Sequence, residues 1–265
     1  LSSYSDYVCG DGYIYYMDHE TIVRELAKKP DSDNLIDSFI EIIKGQAGGN
    51  NAYKMKFIDL LEKVSLDYKK TYLQKVRATE KITEQINLHI KTVNQAYIPG
   101  STLKGAIRTA LLGYHYQAKE EKMPRSYIGE DIFDKFDKDI LKFLSISDST
   151  TFEDKDLRIC KFYRYNLDSS KTTIPIVNEV IDRGQATFSI TCKAEKKQVS
   201  DKFYYLLKGQ EKELLPFINK YTQKNIEIEL KALQKSSGKE AKKLKDFYNR
   251  LLDTIENIDS SKEAI

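Results

Sequence analysis

Residues 97–113 read Tyr97-Ile98-Pro99-Gly100-Ser101-Thr102-Leu103-Lys104-Gly105-Ala106-Ile107-Arg108-Thr109-Ala110-Leu111-Leu112-Gly113. An extended run breaks at Pro99-Gly100, because proline fixes φ and glycine reaches φ above zero. A helix follows, and Ser101 or Thr102 supplies a side-chain oxygen for its first free N–H groups. Leu103, Ile107, Ala110, Leu111 and Tyr114 recur at helical spacing and form its buried face. Lys104 and Arg108 lie one turn apart on the flank of that face. A cation in a first turn opposes the helix dipole, so helix stability does not account for Lys104. Free N–H groups, a hydroxyl cap and two cations suit a phosphate. An ordinary turn and cap before a core helix, with both cations solvated, accounts for the same residues. The Gly-rich nucleotide loop ending in Gly-Lys-Ser/Thr is not present.

Upstream, Tyr7-Val8, a turn at Gly10-Asp11-Gly12 and Tyr13–Met17 read as a hairpin. Asp18 is the N-cap of a helix through Ile22, Val23 and Leu26 that Pro30 ends. A second helix starts at Asp31 or Asp33 and stops at Gly45, and a third covers 54–64. Strand character returns at Tyr72–Ala78 and Ile86–Val93, the latter alternating Ile86, Leu88, Ile90 with Asn87, His89, Lys91. Neighbouring strands exposing Lys75, Arg77, His89 and Lys91 make either a basic surface or an ordinary solvated sheet face.

Downstream, 119–142 is charged and reads as an exposed, loosely helical connection. Ser145–Ser149 is a short strand ending in a polar turn. Leu157–Tyr165 is a strand with Arg158, Cys160, Phe162 and Arg164 on one side, a mixture that suits RNA through phosphate pairing and base stacking and equally suits an edge strand. Ile174–Ile181 and Ala186–Cys192 form the clearest hairpin, joined at Asp182-Arg183-Gly184. The remainder is helical: Leu214–Leu233 with Pro216 near its start, then a stripe of Leu244, Phe247, Leu251, Ile255 and Ile258 opposite Lys242, Lys243 and Lys245. The lysine-rich run 235–245 reads as a solvated loop, with an RNA-binding patch as the alternative.

Mixed strands and helices in non-alternating order give an α+β architecture. With 43 basic and 40 acidic side chains the formal charge is only +3, so bulk charge carries no nucleic-acid signal and an RNA site depends on local clustering. Cys9, Cys160 and Cys192 are widely spaced, which fits neither a zinc site nor a disulfide framework and fits a reducing cytosol. No apolar run is long enough for a membrane span and no signal peptide is visible. The first residue is Leu1 rather than methionine, as expected of a fragment or a trimmed chain.

Residues 98–111 resemble the IPGSSLKGAIRTAL signature of the CRISPR RAMP proteins. Within them the chain is most similar to the type III-A (Csm) subunit that caps the 3′ end of the guide RNA (crRNA). Tyr4–Val8, Tyr15–Asp18, Ile146–Ser149 and Ile174–Ile181 fit in the same order, so the likeness covers about residues 1 to 193. It implies an RRM-like (ferredoxin-like) RAMP domain over 1–195 with a helical insertion around 20–66. The helical segment 196–265 would then belong to an incomplete second RAMP domain.

The implied function is a non-catalytic crRNA-binding subunit, working without cofactor or metal beside a backbone RAMP subunit, with host nucleases as candidate partners. Carried over from the motif as RNA-binding are Gly100, Ser101, Thr102, Lys104 and Arg108; local clustering adds Lys75, Arg77, Lys91, Arg158 and Arg164. A Gly-Ser-Gly segment before the first strand and a glycine-rich loop near the C-terminus, both expected of the family, have no counterpart in the 265 residues. Two other readings compete. A RAMP endoribonuclease needs an acid and a base around a phosphate, for which His19, His89, His115 and Asp148 are the candidates. A protein-docking subunit without RNA contact would use the helix at 244–258.

Overall fold

The computed structural model describes residues 1, 5–48, 56–117, 129–133, 137–166, 169, 171–194 and 213–265. In chain order the elements are β1 (Tyr7–Gly10), β2 (Tyr13–Met17), α1 (His19–Leu26), α2 (Ser32–Gly48), α3 (Phe57–Lys63), β3 (Tyr72–Ala78), β4 (Ile86–Asn87), β5 (Lys91–Thr92) and β6 (Gln95–Ala96). Then come α4 (Gly100–Gln117), α5 (Glu130–Phe133), α6 (Ile140–Phe143), β7 (Leu144–Ile146), β8 (Leu157–Phe162), β9 (Tyr165–Asn166) and β10 (Lys171–Thr172). β11 (Ile176–Ile181), β12 (Ile190–Cys192), α7 (Leu214–Leu233) and α8 (Lys239–Asn257) complete the chain. Contacts divide it into two compact units, each drawn from three segments: 1–96, 151–164 and 174–185 in the first, and 97–150, 165–173 and 186–265 in the second. The expected boundary at 195 lies outside the described residues.

The first unit is built on a six-stranded sheet in the order β1-β2-β3-β8-β11-β4. β3 runs parallel to β8 and β11 parallel to β4; the other neighbours are antiparallel. The expected β1–β2 hairpin is present, and Asp18 caps α1 by accepting from the Thr21 N–H at 3.1 Å. Tyr15 and Met17 bury one side of β2 against Ile22, Leu26, Phe39, Leu60 and Leu61 of α1–α3. On the opposite face Ile14, Val76, Ile159 and Val177 are no more than 1% exposed. At the Tyr16/Met17 step the β2–β3 register slips, leaving Leu73 as the extra residue of a β-bulge.

In the second unit the buried face of α4 is the one its spacing implies: Ile107, Ala110 and Leu111 are at most 4% exposed. It packs with Ile132, Phe133, Ile140, Leu141, Leu144 and Leu214. Tyr114 meets Phe217 edge-on at 5.0 Å between centroids. β7 pairs with β12 and β9 with β10, and α7 has the bounds that its pattern suggests.

Four expectations need correction. The hairpin joining Ile174–Ile181 to Ala186–Cys192 does not form: β11 has partners on both sides, β8 and β4, while β12 pairs with β7. β8 is an inner strand rather than an edge, lying between β3 and β11. The strand expected over 86–93 breaks after Asn87, and Leu88 and Ile90 are exposed. The described parts of 119–142 are not an exposed connection, since Ile132, Phe133, Ile140 and Leu141 lie in the core.

Candidate nucleic-acid interface

The Pro99-Gly100 bend is packed rather than open. The Gly100 N–H donates to Oδ1 of Asp148 at 2.9 Å, and the Thr102 N–H donates to the Pro99 carbonyl at 2.9 Å. Ser149 ties the other side, its Oγ accepting from the Ile98 N–H at 2.8 Å. A Cβ on Gly100 would collide with the backbone carbonyls of Ile146 and Ser147, so glycine is required here by close approach. The expectation of unpaired amides with a Ser101 or Thr102 cap is therefore corrected. A carboxylate from a distant segment satisfies the Gly100 donor and complements the helix dipole. Gly100 is buried and serves the fold, and Asp148 is committed to the same contact.

What the motif does present is a groove. Ser101, Lys104, Gly105 and Arg108 follow one another along a single stripe of α4, and with Asp139, Leu141 and Lys142 they line a shallow depression of about 410 Å³. Thr102 is exposed but lies outside it. The Lys104 Nζ donates to the Leu144 carbonyl at 2.8 Å, which fixes the side chain along the groove and leaves two ammonium donors. The Arg108 guanidinium donates to Asp139 Oδ2 at 2.8 Å and lies over the Phe133 ring at 4.8 Å. Asp139 is almost wholly buried and also accepts from the Leu141 N–H at 2.8 Å. Among the described residues that line the groove, three are cations and one is a carboxylate.

The three glycines of α4 divide by their surroundings. A Cβ on Gly100 meets backbone, and one on Gly113 would enter the Tyr221 ring. A Cβ on Gly105 meets nothing within 4 Å. Glycine inside a helix costs about 1 kcal/mol relative to alanine, and no contact among the described residues accounts for it at this position. A bare stretch of helix between Lys104 and Arg108 is where an external backbone can approach closely.

A second cationic surface lies in the first unit. Tyr13 stands opposite Arg77 across β2–β3, and the Lys75 ammonium is 5.1 Å from the Tyr13 ring centroid. Lys75 and Arg77 are exposed, and with Tyr13, Leu73 and Arg183 they line a depression of about 450 Å³. Arg158 sits beside Arg77 in the β3–β8 register but is engaged with Asp182 at 2.7 Å. Farther along β8, Phe162 is 48% exposed, and Arg164 is exposed beyond the strand end. Lys91 does not join this surface. Its side chain is 13% exposed and bonded to Glu179, whose side chain is fully buried, at 2.9 Å.

Each candidate acid–base histidine is engaged by its own neighbours. His19 Nε2 lies 2.8 Å from the Ser5 carbonyl, His89 Nδ1 lies 3.0 Å from the Ile90 carbonyl, and His115 stacks with Phe217. Among the described residues no three His, Cys, Asp or Glu side chains come close enough to hold a metal ion, and none of Cys9, Cys160 and Cys192 is joined in a disulfide. No helix among the described residues is long and apolar enough to cross a membrane.

The sequence profile of the RAMP superfamily matches residues 11–259. The chain belongs to the RAMP superfamily. It is 28% identical over 255 residues to a Methanocaldococcus jannaschii protein described as the CRISPR system protein Csm5, an alignment covering 85% of this chain. This RAMP chain spans 58% of the length of that relative.

Among solved structures it resembles T. onnurineus Csm5 with a TM-score of 0.66 and 20% identity, over 89% of this chain and 78% of the other. It also resembles a chain of a type III-A Csm–crRNA–target RNA ternary complex with a TM-score of 0.63 and 20% identity, over 96% and 77%. At that identity the likeness is one of fold, and the fold is the α+β, ferredoxin-like RAMP architecture that the motif implies. Tyr13, Gly105, Asp139, Lys142 and Arg183 had no separate signal in the linear pattern. Gly105 alone could have been noticed, as a helix-interior glycine with no turn to make.

Proposed function

We propose that this RAMP chain is a non-catalytic crRNA-binding subunit of a type III-A Csm complex, capping the filament at the crRNA 3′ end. One observation carries the reading: the family signature forms a cation-lined groove over an exposed helix glycine that packing does not require. Such a groove reads phosphate and backbone shape rather than base identity. Membership of the superfamily and likeness to a chain of a Csm–crRNA complex support the same reading, in which a neighbouring backbone RAMP subunit is the proposed partner. Lys75, Arg77 and Arg164 offer further phosphate contacts, with the Tyr13 ring beside Lys75 and Arg77 for base stacking. Ser101, Lys104 and Arg108 remain the proposed motif contacts, and Thr102 lies at their border.

The test is binding of guide-length RNA to the purified chain as a function of salt. Wild-type protein co-purifies with and binds the RNA, and Lys104→Ala lowers the slope of log affinity against log salt by about one. An unchanged slope, with unchanged protection of the guide 3′ end, would overturn the assignment of the groove. Magnesium-dependent or magnesium-independent cleavage of guide or target RNA by the purified chain would overturn the non-catalytic reading.

A further inference from the structure

One short element touches both motif cations of the groove. α6 is a single turn, Ile140–Phe143, with Asp139 as its N-cap and Leu144 as its C-cap. Its two ends meet α4 one helical turn apart. At the first, Arg108 Nη1 donates to Asp139 Oδ2 at 2.8 Å; at the second, Lys104 Nζ donates to the Leu144 carbonyl at 2.8 Å. Between the two cations stands Gly105, where an added Cβ meets nothing within 4 Å among the described residues. The Phe133 ring, fully buried, holds the guanidinium from a second direction, its centroid 4.8 Å from the guanidinium carbon.

Asp139 does more than a cap requires. Its Oδ1 accepts from the Leu141 N–H at 2.8 Å, a contact that serine or asparagine makes equally well. Its other oxygen is turned to Arg108. A nearly buried carboxylate in such a pair adds little net stability over neutral packing. A negative charge on the wall of a phosphate groove also repels an RNA backbone. Neither folding nor bulk electrostatics accounts for a carboxylate here. What the pair supplies is order. Immobilising a long cationic side chain during binding lowers affinity roughly two- to tenfold, and these two side chains are held in place before a ligand arrives.

We propose that α6 braces the phosphate-binding cations and that Asp139 is a positioning residue for Arg108, raising the affinity of the groove for an RNA backbone although its charge has the wrong sign. The inference rests on the RNA-binding reading above. A guanidinium carries five N–H donors in a rigid planar fork. Asp139 fixes the direction of that fork and the Phe133 ring fixes its plane. The RNA backbone then meets Lys104 and Arg108 already set one turn apart over the bare helix at Gly105.

A double-mutant cycle separates positioning from charge and from folding. Affinity for guide-length RNA is measured for the full chain as wild type, Asp139→Ser, Arg108→Ala and the double variant. Serine keeps the cap of α6 and is too short to reach Arg108. With Arg108 present, Asp139→Ser should weaken binding about fivefold, the cost of ordering the released guanidinium. With Arg108 absent, the same change should strengthen binding about threefold, because only the repulsion is removed. Asp139→Asn, whose amide caps α6 but turns a donor toward the guanidinium, goes through the same cycle with the same reversal of sign expected, so the test holds if the serine variant does not fold. Unchanged or tighter binding with Arg108 present leaves the carboxylate no positioning role, and weaker binding in both backgrounds makes its role structural; either result overturns the proposal. Absence of RNA binding by the wild type overturns the functional reading together with it.

Discussion

Replacing Gly105 by alanine separates folding from binding. Gly105 is the sixth residue of α4, lies on its exposed stripe, and among the described residues no heavy atom beyond its own stretch of helix stands within 4 Å of where a Cβ would be. The added methyl group meets no steric opposition and restricts the unfolded chain, so the free protein should gain about 0.5–1 kcal/mol. For a chain of this size that corresponds to a rise in Tm of about 1–4 °C. The same methyl group projects into the groove between Lys104 and Arg108. It should hold a docked nucleotide backbone away from both cations and weaken guide-RNA binding about tenfold, or ~1.4 kcal/mol. Thermal melts monitored by circular dichroism and RNA titrations by fluorescence anisotropy read the two effects independently. Gly113→Ala is the internal contrast: its Cβ would enter the Tyr221 ring, and overpacking should lower stability by about 1–3 kcal/mol. A Gly105→Ala protein that is more stable and binds RNA as wild type does would refute the claim that the glycine exists for a close external approach.

Other perturbations follow from the same contacts. Arg108→Ala leaves the nearly buried Asp139 carboxylate without its 2.8 Å guanidinium partner and should cost about 2 kcal/mol in chemical denaturation; adding Asp139→Asn should recover part of that loss. Val93, 93% exposed, is held at φ 47° in the β5–β6 turn, so Val93→Gly should stabilise the protein by about 1 kcal/mol in the same assay. Glu84 is held below the ordinary carboxylate range, first by the hydrogen bond from Lys161, and Lys161 is correspondingly raised by Glu84. A depressed carboxylate contributes stability above its unfolded pKa, near 4.3, and loses it as pH falls through the folded value. A raised lysine contributes below about 10.4 and loses its contribution at higher pH. The Tm difference between wild type and Lys161→Met should therefore be flat between those limits and shrink outside them.

Local order carried much of the architecture. The β1–β2 hairpin with its Asp11-Gly12 turn, the Asp18 cap, β3 and α7 all follow from alternation, capping chemistry and helical spacing within a few residues of each other. The errors arise where the outcome is settled by distant partners. Two apolar runs flanking Asp182-Arg183-Gly184 look like a hairpin, yet β11 is claimed by β8 and β4 and β12 by β7. No local pattern announces such pairings. Lys91 alternates like a surface residue but turns inward because Glu179, 88 positions away, is buried opposite it.

The motif itself was legible as a strand break, a helix and a pair of cations. Its amides were misjudged because Asp148, 48 residues downstream, occupies the Gly100 donor. Lys142 and Asp139 complete the groove from a charged stretch whose apolar residues, Ile132, Phe133, Ile140 and Leu141, turned out to be core. Spacing alone could not separate that stretch from a solvated connection.

Crosslinking followed by peptide mapping gives the most direct answer. With guide RNA bound to the full chain, adducts should concentrate on α4 between Ser101 and Arg108 and on the Lys75–Arg77 segment of β3, and compete away with excess RNA. Adducts distributed over the surface without those segments, or their persistence at α4 in Lys104→Ala and Gly105→Ala at wild-type yield, would contradict the account.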